Sequence, residues 1–229
     1  MFSWELLERV AIMATPVVLA ITLHEAAHGW AAWRLGDPTA RDLGRLSINP
    51  LRHVDPVGTV LVPLLMVLGS KAAGMEPMVF GWAKPVPVDM RRLFSPRRDM
   101  ALVALAGPGS NLLMGLGWAL VARFVVVYHE LVGALAAPLL YMSLAGIFAN
   151  SIIMVLNLLP IPPLDGGRVL VSILPVPMAR VVARLEPFGL ILMVVALISG
   201  VLWTVLAPLV GLSTSLMALV AGRVPVQLL

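Results

Sequence analysis

Cysteine is absent from this sequence. Without thiols there is neither a disulfide nor a thiolate-bound metal, so any metal must be held by imidazole, carboxylate or amide groups. Charge is scarce as well: 12% of the residues are charged, against roughly 25% in ordinary soluble domains. Histidine is rarer still, with 4 in 229 residues. No internal repeat, low-complexity tract or polar stretch long enough for a separate soluble domain breaks the chain.

Apolar side chains fill the space left by charge. They make up 60% of the sequence, and the mean hydropathy is +0.97. A membrane span needs roughly 20 apolar residues. Segments 10–33, 100–127, 132–159 and 187–207 meet that length, while 57–69 and 209–222 are shorter. The expected fold is therefore an all-α polytopic membrane protein with about 5–6 spans. The start MFSWELLERV has no basic n-region and no small-residue cleavage site, so the first segment is expected to be retained and the chain to begin at Met1.

The isoelectric point near 10.3 does not indicate nucleic acid, because the basic residues lie between apolar segments and are not interleaved with aromatics. All Lys and Arg except Arg9, Arg123 and Arg223 fall in 34–52, 71–98 and 168–184. Loop charge places these stretches in the cytoplasm. The 57–69 run has basic segments on both sides and is too short to cross, so it is expected to be a re-entrant hairpin. The stretches GRLSINPLRHVDPVG and MVFGWAKPVPVDM, rich in Pro and Gly, read as loops or short β segments on the cytoplasmic side.

The chemistry concentrates in the first span. His24 and His28 are four residues apart and share a helix face, with Glu25 beside them. This HExxH arrangement supplies two imidazole zinc ligands and a carboxylate base. The bland alternative, a hydrogen-bonded polar pair facing a helix bundle, fits a lone intramembrane histidine better than this triplet, because ionisable groups at depth are costly. A catalytic zinc needs a third protein ligand. The histidine of the longer metzincin motif is missing, since Arg34 stands at its position. Asp37, Asp42, Asp55 and His53 lie in the following loop, where a turn, cap or surface role suits each. Asp165 differs, for it sits at the inner end of a long span where His24 and His28 can meet it. His129 and Glu130 fall at the outer end.

HEAAH in the first span, AGPGSN in a later one and NLLPIPPLDGG closing the next together resemble the site-2 protease family of intramembrane zinc metalloproteases. NPLRHVDPVGT and FGWAKPVPV look like its compact bacterial and archaeal branch, which has no PDZ domain. The resemblance covers roughly residues 15–175. It implies a three-helix catalytic core. The expected domain is a membrane-embedded metalloprotease core at 1–185, with C-terminal transmembrane segments of the same domain at 186–229, which lie outside the resemblance. The resemblance also implies one zinc ion held by His24, His28 and Asp165, water activated by Glu25, and hydrolysis of a transmembrane protein or peptide substrate inside the lipid bilayer. The membrane would be the plasma membrane, with the active site toward the cytoplasm.

Asn157 matches a family asparagine that assists the scissile carbonyl or its oxyanion; an interhelical hydrogen bond or a cap before Pro160 suits it equally. Asn111 is expected to fasten helix packing more than to join the chemistry. Pro160, Pro162 and Pro163 should end the third core span and present Asp165 from an extended segment. Gly166 and Gly167 would permit close backbone approach or positive φ. The segments 43–49 and 79–88 are candidates for holding an unwound substrate by strand addition. Two rival functions use the same residues. One is a proton or ion transporter; the other is a metal-binding membrane scaffold without protease activity.

Overall fold

The computed structural model describes residues 4–72, 74 and 81–222, and every regular element among them is helical. The α-helices in chain order are α1 (Trp4–Arg34), α2 (Thr39–Asp42), α3 (Val62–Ala72), α4 (Pro96–Val127), α5 (His129–Val132), α6 (Ala136–Asn157), α7 (Asp165–Ile173), α8 (Val176–Ala183), α9 (Gly189–Ile198) and α10 (Val201–Ala221). Five stretches are long and apolar enough to cross a membrane: Ala11–Arg34, Pro96–Val127, His129–Asn157, Val176–Ile198 and Val201–Ala221. The chain is a multi-pass membrane protein.

Helices α1, α4 and α6 each pack against the other two, and α10 closes on α4 and α6. Small residues make this close approach possible, as in other membrane bundles. Ala119, Ala122, Ala136, Leu140, Ile147, Met217 and Ala221 form one buried cluster. The ring of Trp118 occupies the place where a Cβ on Gly146 would lie. Large apolar side chains such as Leu113, Leu131 and Leu219 are more than two-thirds exposed, as expected where lipid rather than water is the solvent. A second cluster, of Val155, Leu159, Met193, Leu202, Leu206 and Val210, joins the end of α6 to α9 and α10.

Several local expectations change. Residues 57–69 do not form a hairpin. Asp55 caps a helical run by accepting from the N–H groups of Val57 and Gly58, and the run continues through π-type turns at Pro56–Leu61 into α3. With its first donors satisfied, the run starts as a helix and continues as one.

No strand occurs among the described residues, so the short β segments at 43–49 and 79–88 are also corrected. The N–H groups of Trp82 and Lys84 donate to the carbonyls of Gly58 and His53, and that of Val86 donates to Glu25. Of the alternate positions Ala83, Pro85 and Pro87, two have no N–H, so this stretch cannot offer a ladder edge. Residues 79 and 80, Met1 and Arg223 lie outside the described residues.

The expected span at 187–207 is divided. Helix α9 ends at Ile198, Gly200 adopts φ 77°, and α10 begins at Val201. A left-handed φ is open to glycine at no steric cost, and it turns the chain so that α10 packs on α9. The run 209–222 is therefore the second half of a full span, with Pro208 inside it. Asp165 is likewise not on an extended segment; it is the first residue of α7, which packs against α4.

Candidate metal centre

Helix α1 carries His24 and His28 on one face toward α4. The approach depends on Gly107, because a Cβ there would overlap the Nε2 and Cε1 of His28 and the Cε1 of His24. Each imidazole is fixed through its Nδ1. That of His24 lies 2.6 Å from Asn111 Oδ1, and that of His28 lies 2.7 Å from the carbonyl of Val103. Both partners are acceptors, so each Nδ1 carries the proton and each Nε2 presents a lone pair.

The two Nε2 atoms face each other at 3.1 Å, and Asp165 Oδ2 is 3.2 Å from both. All three side chains are about 95% buried. Asp165 Oδ2 is close to both rings and hydrogen-bonded to neither. Three lone-pair atoms held together in a buried place repel one another unless a cation or proton lies between them. Their spacing suits a metal: ligand atoms about 2.0–2.1 Å from a tetrahedral zinc are roughly 3.3 Å apart. Among the described residues these are the one group of three His, Asp or Glu side chains close enough to share an ion. As a metal ligand the Asp165 carboxyl would be ionised.

Beside this cluster is a cavity of about 110 Å³ lined by His24, Glu25, His28, Pro85, Val86, Asn157, Pro163, Asp165 and Arg168. Glu25 Oε2 accepts the N–H of Val86 at 3.0 Å. Asn157, which also lines the cavity, donates one amide N–H to the carbonyl of Ile153 at 3.0 Å, and its other N–H and its Oδ1 take no hydrogen bond among the described residues. The loop before Asp165 is tight: a Cβ on Gly166 would meet the carbonyls of Leu158 and Leu159, and one on Gly167 would meet the backbone of Pro162. Close approach, and not positive φ, explains both glycines.

The other loop candidates have structural roles. Asp37 accepts from Thr39 and from Asp89 N, Asp42 pairs with Arg41 at the surface, and Asp55 caps its helix. His53 is buried with Nε2 on the Ser47 carbonyl at 2.8 Å. His129 bonds the Val126 carbonyl at the far end of α4. Sequence reading assigned no role to Asn150 or Arg168. Asn150 accepts from Asn111 at 2.9 Å, and its signal was an amide in an apolar span. Arg168 was visible as the last letter of DGGR, one turn beyond Asp165.

The fold and the site together define a multi-pass membrane protein with a buried centre of two histidines and an aspartate. The chain is 34% identical over 90% of its length, and 90% of the relative's, to "Putative zinc metalloprotease YwhC" of Bacillus subtilis. "Putative zinc metalloprotease Rip2" of Mycolicibacterium smegmatis is 30% identical, and that of Mycobacterium tuberculosis 28% identical, each across 81% of this chain and 66% of the relative. The chain belongs to the zinc metalloprotease family that these relatives represent. No family model matches it, and no solved structure does.

Proposed function

We propose that this chain is an intramembrane zinc metalloprotease of the site-2 protease type that hydrolyses peptide bonds of transmembrane proteins or peptides. The observation that carries the reading is the convergence of three buried lone-pair atoms within 3.2 Å, with both outer ring nitrogens already hydrogen-bonded. His24, His28 and Asp165 would hold one zinc ion, which supplies Lewis-acid activation of water near neutral pH.

The rest is done by the chain. Glu25 takes the proton of the attacking water and passes it to the leaving amide nitrogen, while the Val86 N–H on Oε2 fixes the carboxylate's orientation. Asn157 turns its remaining amide N–H to the scissile carbonyl oxygen. A donor of this kind typically contributes about 10²–10³ in rate. The cavity of about 110 Å³ has no room for a helix roughly 10 Å across. A transmembrane substrate therefore enters locally unwound, which also exposes the peptide bond that its own helix would shield. Pro85 and Val86 cover the site from the loop side. The basic loops around the site support a reading in which it faces the cytoplasm, and the membrane we propose is the plasma membrane.

The test is the zinc content of the purified protein together with cleavage of a single-span substrate by wild type and Glu25→Gln. Bound zinc in both and cleavage by wild type alone are expected. Wild-type protein without zinc, or equal cleavage by Glu25→Gln, overturns the proposal.

A further inference from the structure

Arg168 lines the same cavity as Glu25 and Asn157, yet the steps above give it nothing to do. It is partly buried on α7, one turn beyond Asp165. Among the described residues its guanidinium has neither a hydrogen-bond acceptor nor a carboxylate partner, while the Arg168 carbonyl accepts the Ser172 hydroxyl. Both carboxylates of the site are engaged elsewhere. Glu25 takes the Val86 N–H, and Asp165 Oδ2 faces the two imidazoles. A guanidinium is permanently charged and has five N–H donors in a planar fork. Withdrawing one partly from water without a counter-ion is unfavourable, so a cation left this way beside a cavity is available to an anion that forms there.

We propose that Arg168 is the charged half of the oxyanion site, donating to the scissile carbonyl oxygen as that oxygen becomes negative. The inference rests on the protease reading. When water attacks, a C–O bond forms, its proton goes to Glu25, and the carbonyl π pair moves onto oxygen. Negative charge thus leaves Glu25 and arrives on the oxygen. On collapse the C=O bond re-forms, the C–N bond breaks, and the proton passes from Glu25 to nitrogen. A cation paired with neither carboxylate favours that transfer of charge. Asn157 alone is a weaker partner, since one of its two N–H groups is spent on Ile153.

The test uses zinc-loaded full-length protein in detergent, as wild type, Arg168→Gln and Arg168→Lys, with zinc per chain measured for each. Dissociation constants are determined for a phosphinic peptide, whose tetrahedral phosphorus is anionic, and for the same sequence with an uncharged hydroxyethylene at that position. Arg168→Gln is expected to lose on the order of 10²-fold in phosphinate affinity and in kcat, but less than about threefold in hydroxyethylene affinity and in KM, with wild-type zinc. Arg168→Lys should recover part of both losses. Equal losses for the two peptides, no loss for either, or a loss that tracks zinc depletion overturns the proposal. Should wild type cleave no substrate, the protease reading fails, and the phosphinate comparison alone decides whether Arg168 recognises a tetrahedral anion.

Discussion

Asn111 on α4 accepts the Nδ1–H of His24 on α1 at 2.6 Å. Its own amide donates to the Ala20 carbonyl at 3.3 Å and to Asn150 Oδ1 on α6 at 2.9 Å, and Asn150 in turn donates to the Gly146 carbonyl at 2.8 Å. One buried chain of amides therefore ties the three central helices together and sets the tautomer of an imidazole at the candidate metal centre. Both packing and chemistry pass through this residue.

Replacing Asn111 with Ala should remove the acceptor that orients His24. Losing such an outer partner typically weakens metal binding by about 10–100-fold. Competition with a calibrated chelator measures it; zinc affinity unchanged from wild type would mean that His24 is oriented without Asn111.

Gly107→Ala should be more damaging to the metal than its size suggests. The added methyl group would occupy the space of both imidazoles, in a helix where alanine is otherwise the better helix former. The expected outcome is a variant that inserts and keeps wild-type helical circular dichroism but purifies with little zinc. Full zinc occupancy would show that α1 and α4 can separate at this point without cost.

Asn157→Leu should separate chemistry from metal binding. Zinc content should match wild type, while kcat for a single-span substrate falls by about 10²-fold. A normal kcat would leave Asn157 with only its hydrogen bond to Ile153.

Asp37 gives a pH-dependent outcome away from the site. Burial raises the pKa of its carboxyl, but the Thr39 hydroxyl and the backbone N–H groups of Asp89 and Thr39 outweigh burial and hold it below its ordinary value of 3.8. A carboxyl depressed on folding stabilises the protein fully above its unfolded pKa, and the contribution fades as pH falls through the folded value. Asp37→Asn should therefore lower stability at pH 7 by about 1–3 kcal/mol, and the gap to wild type should narrow below roughly pH 4. Thermal unfolding in detergent across that range checks it; a gap independent of pH would argue against the carboxylate's charge.

Membrane character, the three core helices and the three site motifs were legible in the chain, because each rests on a local pattern. Apolar runs report length against bilayer thickness, and the four-residue spacing of His24 and His28 reports a shared helix face. Where local patterns compete, the reading changed. The span expected at 187–207 ends at Pro208, yet Pro208 lies within α10, since in a packed membrane helix a proline removes one hydrogen bond that neighbours can replace. The real break came at Gly200, eight residues earlier. Segments 43–49 and 79–88 had β-prone composition, yet a strand needs a partner, and in the second segment the N–H groups of Trp82, Lys84 and Val86 go to loop carbonyls and Glu25.

The sequence by itself determined that His24, Glu25 and His28 share one helix, that Asp165 follows the end of another, and that lipid is the solvent, because periodicity and hydropathy are properties of neighbours along the chain. Only the tertiary structure decided that Asp165 Oδ2 comes within 3.2 Å of both imidazoles, that Asn111 and Val103 hold the rings, and that Arg168 lines the cavity without a partner among the described residues. Those facts depend on how α1, α4 and α7 pack, and packing is a balance among side chains far apart in sequence, so no local pattern contains it.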